Sequence, residues 1–136
     1  MEYVVGVGLA AVVCALAAVV GFDRERVFYP TLTVVIASYY VLFAAMGNSP
    51  RTLVLESVIA AAFFALAVAG FKLNLWLVVA ALAAHGVFDW FHHLVVRNPG
   101  VPAWWPGFCL AFDVLAGGIL AGLLLRRSGF AVRSAG

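Results

Sequence analysis

The sequence has few charged residues, and this shortage limits the classes of protein that it can encode. Only 10% of its 136 residues are charged, whereas 66% are hydrophobic, and the mean hydropathy is +1.12. A soluble domain usually carries about 25% charged residues, so this chain lacks the polar groups to cover a surface in water. It has no run of basic residues, no nucleic-acid-binding motif and no glycine-rich phosphate loop. We therefore expect no nucleic acid as a partner.

Cysteine is also scarce. Cys14 and Cys109 are the two cysteines of the chain, and they fall at different depths of the apolar segments described next. A disulfide between them is therefore not expected, and both are interpreted as buried apolar side chains.

Long apolar segments make up most of the remaining sequence. A helix that crosses a bilayer needs about 20 apolar residues, and five segments qualify: 3–22, 27–46, 50–69, 75–96 and 107–125. Their continuous apolar character differs from the short alternating strands of a membrane β-barrel. The sequence therefore predicts one all-α domain over residues 1–136, an integral membrane bundle of five transmembrane helices.

Short polar segments separate the predicted helices and supply residues that begin and end them. Ser49 and Pro50 suit the N-cap and first position of the third helix. Gly70 is predicted to end that helix, and Asn74 is predicted to cap the fourth. The first segment is interpreted as a retained helix rather than a signal peptide, because its start carries Glu2 and no basic residue.

Basic residues are distributed unequally between the two ends of the predicted bundle. Arg51 and Arg97 fall at one end, and the other end contains Arg24, Arg26, Lys72, Arg126, Arg127 and Arg133. Because cytoplasmic loops are enriched in lysine and arginine, we expect the N-terminus outside and the C-terminus in the cytoplasm. The predicted location is the cytoplasmic (inner) membrane of a bacterium. Trp104 and Trp105 then fall in the outer interface, which indole rings favour.

Small residues indicate where helices can approach one another closely. Gly118 and Gly122 form a GxxxG pattern in the fifth segment, and alanine is frequent in the third. Such patterns are typical of tight helix packing in membranes. Packing within the chain is favoured here, and a homodimer is the alternative.

The apolar segments contain six ionisable residues: Glu56, His85, Asp89, His92, His93 and Asp113. A charge in the hydrocarbon layer costs several kcal/mol unless it is paired, neutralised or bound to an ion. The helical rise of about 1.5 Å per residue places the three acids at similar depths below the outer end of the bundle. These residues therefore predict a single site in the outer half of the bilayer.

The fourth segment offers several of these residues on one face. At about 100° per residue, His85, Asp89 and His92 share one side of the helix, and His93 lies at the edge of that side. Imidazole and carboxylate ligands suit Zn²⁺, Fe²⁺ or Mn²⁺. The predicted metal ligands, with zinc as the first choice, are His85, Asp89, His92 or His93, and Asp113 or Glu56.

Three functions are compatible with such a site. The first is a metal-dependent hydrolase of a lipid or lipophilic small molecule, in which Glu56 or Asp113 takes a proton from metal-bound water. Tyr39 of the second segment is a further catalytic candidate. The second function is a proton- or ion-coupled transporter that uses the same residues as a relay, and the third is a network that only fixes helix register. The hydrolase is favoured, because the sequence shows no inverted repeat or pair of broken helices.

Three stretches carry a resemblance to a known family: FYPT at 28–31, HGVFD at 85–89 and WWPGFC at 104–109. Over nearly its whole length the chain resembles a family of small bacterial multi-spanning membrane proteins of unknown function, which implies a membrane location but no activity. Its chemistry is also similar to that of membrane hydrolases of the alkaline-ceramidase type, which hold zinc with histidine and aspartate. Those enzymes gather histidines from separate helices, whereas the histidines here fall on one predicted helix.

Overall fold

The computed structural model describes residues 1–47 and 49–133, with side chains described to residue 127, so the side chain of Arg133 lies outside the described part. Five helices are present: α1 (Glu2–Val20), α2 (Phe28–Met46), α3 (Pro50–Lys72), α4 (Trp76–Val95) and α5 (Trp105–Arg133). A short 3₁₀ turn (Phe22–Arg24) follows α1, and the described residues contain no strand. All five helices are long and apolar enough to cross a membrane. The prediction of an all-α protein with five such helices is confirmed.

The ends of the helices follow the local sequence. Ser49 caps α3 with its side chain and Pro50 occupies the first helical position, as predicted. The Asn74 side-chain oxygen accepts a hydrogen bond of 3.0 Å from the N–H of Trp76 at the start of α4. Helix α1 ends at Gly21, whose φ of 92° lies in the left-handed region that favours glycine.

Gly70 does not end α3, and that prediction is wrong. The helix continues to Lys72, and Gly70 lies inside it against the first turn of α4. A Cβ atom at this position would lie 3.1 Å from the backbone nitrogen of Val78 and closer still to the Val78 side chain. The glycine is therefore needed for the close approach of α3 and α4 beside their short connection.

Helix α4 packs against three other helices of the bundle. It packs along α5 and also contacts α3 and α2, whereas α1 packs on α5 and α2 packs on α3. The buried residues of α4 recur with the helical period, and they are Val78, Ala81, Leu82, His85, Gly86, Asp89 and His92. This buried stripe is apolar in its first half and mostly polar in its second. Helix α4 therefore carries ionisable groups into the packed interior near its C-terminal end.

Hydrogen bonds between connections show which helix ends lie together. Arg26 donates a bond of 2.9 Å to the Phe71 carbonyl oxygen, and a further bond joins the α1–α2 connection to the end of α5. We call this the basic end, and it carries the side chains of Arg24, Arg26, Lys72, Arg126 and Arg127. At the opposite end, Thr52 donates a bond of 3.3 Å to the Arg97 carbonyl oxygen. We call this the site end, and it contains the α2–α3 and α4–α5 connections.

Trp105 is buried inside the bundle, and its predicted position at the outer interface stays a prediction. It is 8% exposed, and its ring centroid lies 4.8 Å from that of Phe43 and 5.0 Å from that of Tyr39. Trp104, in contrast, is 51% exposed. The first turn of α5 is therefore anchored to α2 by aromatic packing. Both cysteines of the chain are free and buried, as expected.

Helix α1 approaches α5 closely at Gly6. A Cβ atom there would lie well inside van der Waals distance of the Phe108 carbonyl oxygen. Gly8 is different, because a Cβ atom at that position would meet no atom of a neighbouring helix within 4 Å. A Cβ atom at Gly118 or Gly122 would likewise meet no atom of a neighbouring helix within 4 Å among the described residues. The prediction that the GxxxG pattern packs within the chain is therefore wrong, and the homodimer stays a prediction.

We expect Gly6→Ala to destabilise the bundle, with Gly8→Ala as its matched control. The methyl group added at position 6 must push α1 away from α5, at a cost of about 1–3 kcal/mol. At position 8 the alanine meets open space and favours the helix by about 0.5–1 kcal/mol. Thermal unfolding in detergent micelles should show a lower midpoint for Gly6→Ala alone. Equal midpoints for the two variants would contradict the close approach at Gly6.

Candidate metal centre

Two histidine–carboxylate pairs lie inside the bundle at different depths along α4. In the deeper pair, His85 Nδ1 lies 2.8 Å from Asp113 Oδ2 on α5. In the shallower pair, His92 Nε2 lies 2.8 Å from Glu56 Oε1 on α3. The two histidines are two helical turns apart, which is about 10 Å along the axis. All four side chains are buried, so these polar contacts join α4 to both neighbours in the interior.

Asp89 lies between the two pairs on the same face of α4, and it is 0% exposed. Its Oδ2 atom lies 3.5 Å from His85 Nδ1, which is already hydrogen-bonded to Asp113. Neither oxygen of Asp89 has a hydrogen-bond partner among the described residues, and the same holds for Asp113 Oδ1. Buried carboxylate oxygens without donors are costly. This part of the interior therefore requires a source of positive charge or of donors.

His85, Asp89 and Asp113 form a group, called here the metal group, that could hold a metal ion. One potential ligand atom from each residue lies within 4.8 Å of the others. Ligand atoms bound to a tetrahedral zinc ion at about 2.0–2.1 Å lie about 3.4 Å apart. The distances from Nδ1 to the two carboxylates, 2.8 and 3.5 Å, are on either side of this value. A divalent cation would also provide partners for the oxygens that lack donors, so the residues present fit a metal ion.

Close packing encloses the metal group. Phe63 of α3 packs edge-on against the His85 ring, with the centroids 4.7 Å apart. Gly86 brings α5 close to this face of α4, because a Cβ atom there would lie only 3.1 Å from Asp113 Cβ. Electrostatic interactions are stronger in such low-dielectric surroundings than in water. The side chains of His85, Asp89 and Asp113 are therefore enclosed by α3, α4 and α5 and shielded from water.

Asn98, in the α4–α5 connection, fixes the shallower pair. Its Nδ2 atom donates hydrogen bonds of 2.9 Å to Glu56 Oε1 and of 3.1 Å to the Tyr40 carbonyl oxygen. Its Oδ1 atom accepts a bond of 3.1 Å from the N–H of Gly100. The Tyr40 ring stacks on the His92 ring at a centroid distance of 4.2 Å. Asn98 therefore ties the connection to α2 and α3 around the histidine.

An open cleft leads from the site end of the bundle to His92. It has a volume of about 680 Å³ and lies among the end of α4, the α4–α5 connection and the start of α5. Its polar lining consists of His92, His93, Arg97 and Asn98. The three residues of the metal group do not line it. The cleft therefore extends to His92, whereas Glu56 and the metal group do not line it and are buried.

The structure brings together five of the six ionisable residues that the sequence selects, and it divides them into two sets. His85, Asp89 and Asp113 make up the metal group. Glu56 and His92, by contrast, bind each other, so the predicted ligand His92 lies beside the metal group rather than in it. The remaining residue, His93, is exposed and lines the cleft.

The tyrosine beside the histidines is Tyr40, whereas Tyr39 lies apart from them. Tyr39 is 37% exposed and packs on Trp105. Because α2 is apolar on every side, its sequence gives little indication of which tyrosine is buried. Asn98 was not selected from the sequence at all, since the Asn-Pro-Gly segment in which it lies is typical of an ordinary turn.

Comparisons of the chain with protein-family models, with curated proteins and with solved structures found no match. The family resemblance of the sequence therefore stays a prediction. The fold and the site define the class of protein: an all-α protein with five helices of membrane-spanning length and a buried histidine–aspartate group that could hold a metal ion.

We expect Asn98→Ala to lower the stability of the protein by about 1–3 kcal/mol, because it leaves buried polar groups without their partner. Ser57→Ala is the matched control. Ser57 follows Glu56 in the sequence, is exposed, and bonds only to the Leu53 carbonyl oxygen of its own helix at 2.7 Å. Removal of the Ser57 hydroxyl group should change the free energy of unfolding by less than about 0.5 kcal/mol. Thermal unfolding in detergent measures the stability of both variants. Equal losses of stability in Asn98→Ala and Ser57→Ala would contradict the role given to Asn98.

Proposed function

We propose that the protein is a membrane-embedded metalloenzyme, most simply a metal-dependent hydrolase of a lipid or another lipophilic substrate. The observation that best supports this proposal is the enclosed group of His85, Asp89 and Asp113, in which carboxylate oxygens lack hydrogen-bond donors. One imidazole and two carboxylates suit zinc, with Fe²⁺ and Mn²⁺ as the alternatives. A hydrolytic metal site keeps a position for water and supplies hydroxide near neutral pH.

The residues around the metal group divide the remaining tasks. Glu56 is the candidate general base, because its Oε1 is held by His92 and Asn98 while its Oε2 has no hydrogen-bond partner among the described residues. A base held in one orientation needs no rearrangement when it accepts a proton. Tyr40, whose ring lies near both histidines, replaces Tyr39 as the candidate tyrosine.

We place the site end at the outer face of the membrane, because the opposite end carries most of the basic side chains. The N-terminus is then outside and the C-terminus is in the cytoplasm. His85 and Asp89 lie about 15 and 9 Å from the end of α4, at a rise of about 1.5 Å per residue. These depths lie in the outer half of the bilayer, on the side of the outer lipid leaflet. The resemblance of the sequence favours the cytoplasmic membrane of a bacterium.

A proton- or ion-coupled transporter is the second candidate, because two histidine–carboxylate pairs follow one another along α4. Such pairs can carry protons within a membrane. The series ends at His85, however, and the next buried residues of α4 toward the basic end are Leu82, Ala81 and Val78. A relay across the membrane would need polar groups there. The hydrolase is therefore favoured.

The metal content of the purified protein tests the site directly. After incubation with zinc and removal of the excess, the wild type should retain about one equivalent. Asp89→Asn and Asp113→Asn each remove a negative ligand while preserving shape, and each should retain less than about 0.2 equivalents. His93→Gln, on the same helix but outside the metal group, is the control and should retain the wild-type amount. Elemental analysis by mass spectrometry provides the measurement.

A wild type that retains less than about 0.2 equivalents of zinc, iron or manganese would remove the basis of the metalloenzyme. The buried polar residues would then serve only to fix the register of the helices.

Hydrolysis should depend on both the metal and Glu56. We expect the zinc-loaded protein in micelles to release nitrophenol from 4-nitrophenyl decanoate, a lipophilic ester, and to stop when a chelator is added. Glu56→Gln keeps the oxygen that pairs with His92, so it should retain zinc while losing about 100-fold or more in rate, as expected for a general base. Absence of hydrolysis, together with proton flux in proteoliposomes that Asp113→Asn abolishes, would favour the transporter instead.

A further inference from the structure

The cleft at the site end contains cationic side chains without acidic partners. Arg97 and His93 line it, and both are exposed. No ion pair joins either of them to an acidic group among the described residues. The apolar part of the lining consists of Val96, Pro99, Val101, Pro102, Ala103 and Pro106. A cleft whose lining contains an arginine, histidines and an amide but no acidic residue is complementary to an anion.

The surroundings of the cleft indicate that this anion belongs to a lipid. The last turn of α4 and the α4–α5 connection form the cleft, and Leu94, Val95 and Trp104 are exposed around it. Exposed indole and aliphatic side chains beside arginine are typical of the interface between hydrocarbon and headgroups. The cleft therefore opens at the level at which lipid phosphates lie.

A second groove continues from the cleft along the side of the bundle. The two share His93, Ala103 and Pro106 in their linings. The groove has a volume of about 430 Å³, and its apolar lining consists of Tyr3, Trp90, Phe91 and Leu94 of α1 and α4. Its one acidic residue, Glu2, is paired with the amino group of Met1 at 3.0 Å. An acyl chain in this groove would place its headgroup in the cleft.

We propose that the cleft binds the phosphate group of a membrane lipid, with Arg97 and His93 donating to the phosphate oxygens and an acyl chain in the adjoining groove. The planar guanidinium group offers paired donors that match a phosphate. This inference deepens the proposed function, because it names phosphate-bearing lipids as the substrate class. The binding of the lipid is independent of the proposed hydrolase, and only the statement that this lipid is the substrate rests on it.

Native mass spectrometry of the protein in detergent tests the binding, with dioleoyl phosphatidic acid as the probe and dioleoylglycerol as its counterpart without phosphate. The wild type should retain phosphatidic acid in preference to dioleoylglycerol. Arg97→Gln should weaken this retention about tenfold, which corresponds to about 1.4 kcal/mol and to the loss of hydrogen bonds to a charged group. His93→Gln should also weaken this retention, because it replaces one of the two side chains proposed to contact the phosphate.

Arg51→Gln is the matched control, because it removes the same charge from the same end of the bundle but from outside the cleft. It should change retention less than about twofold, as an exposed charge does. Equal losses in Arg97→Gln and Arg51→Gln would overturn the proposal, because they would show attraction to surface charge alone. Equal retention of the two lipids would also overturn it. Displacement of the lipid by millimolar inorganic phosphate would assign the cleft to a soluble anion instead.

The binding assay contains a chelator, which separates this inference from the proposed function. A protein that prefers phosphatidic acid but retains no metal contradicts the metalloenzyme alone. A protein that retains zinc but shows no preference between the two lipids contradicts the lipid-phosphate site alone.

Discussion

The burial of three carboxylates in an apolar bundle is the constraint on which the rest of the structure depends. Glu56, Asp89 and Asp113 are all buried, and the two buried histidines pair with the first and the last of them. Asp89 is left between the pairs with both oxygens lacking a hydrogen-bond partner among the described residues. Because an unpaired charge is so costly in hydrocarbon, positive charge must be supplied there, by a cation or by protons. His85, Asp89 and Asp113 form a group that could hold such a cation.

Close helix packing makes this arrangement attainable. Gly86 lets α5 approach the polar face of α4, and Gly70 does the same for α3 at the other end of the helix. At Gly86 this close approach brings the Asp113 side chain of α5 beside the polar face of α4, where Asp113 pairs with His85. On α4, residues that pack against neighbouring helices alternate with residues of the site along the same buried face.

Much of the fold, but less of the site, could be predicted from the sequence. Apolar length alone defines five helices, and the spacing of His85 and Asp89 places them on one face, because both features depend on local geometry. Depth along a helix is fixed by counting residues, whereas rotation about its axis is fixed by packing. Counting places the three acids in the same half of the bundle, but it does not show that Asp113 pairs with His85 in the deeper set while Glu56 pairs with His92 in the shallower one. The role of Asn98 could not be predicted from the sequence, because its partners Tyr40 and Glu56 are distant from it in the chain.

The α4–α5 connection joins the open cleft to the buried residues of the site. Arg97 lines the cleft, and the next residue, Asn98, holds the carboxylate of Glu56 through its amide group. A side chain that lines the cleft and a side chain that holds the buried Glu56 carboxylate are therefore neighbours in the chain. The carboxylate in turn pairs with His92, which lines the cleft, whereas the three residues of the metal group do not line it. One short connection and one hydrogen-bonded pair therefore join the cleft to the buried carboxylate of α3.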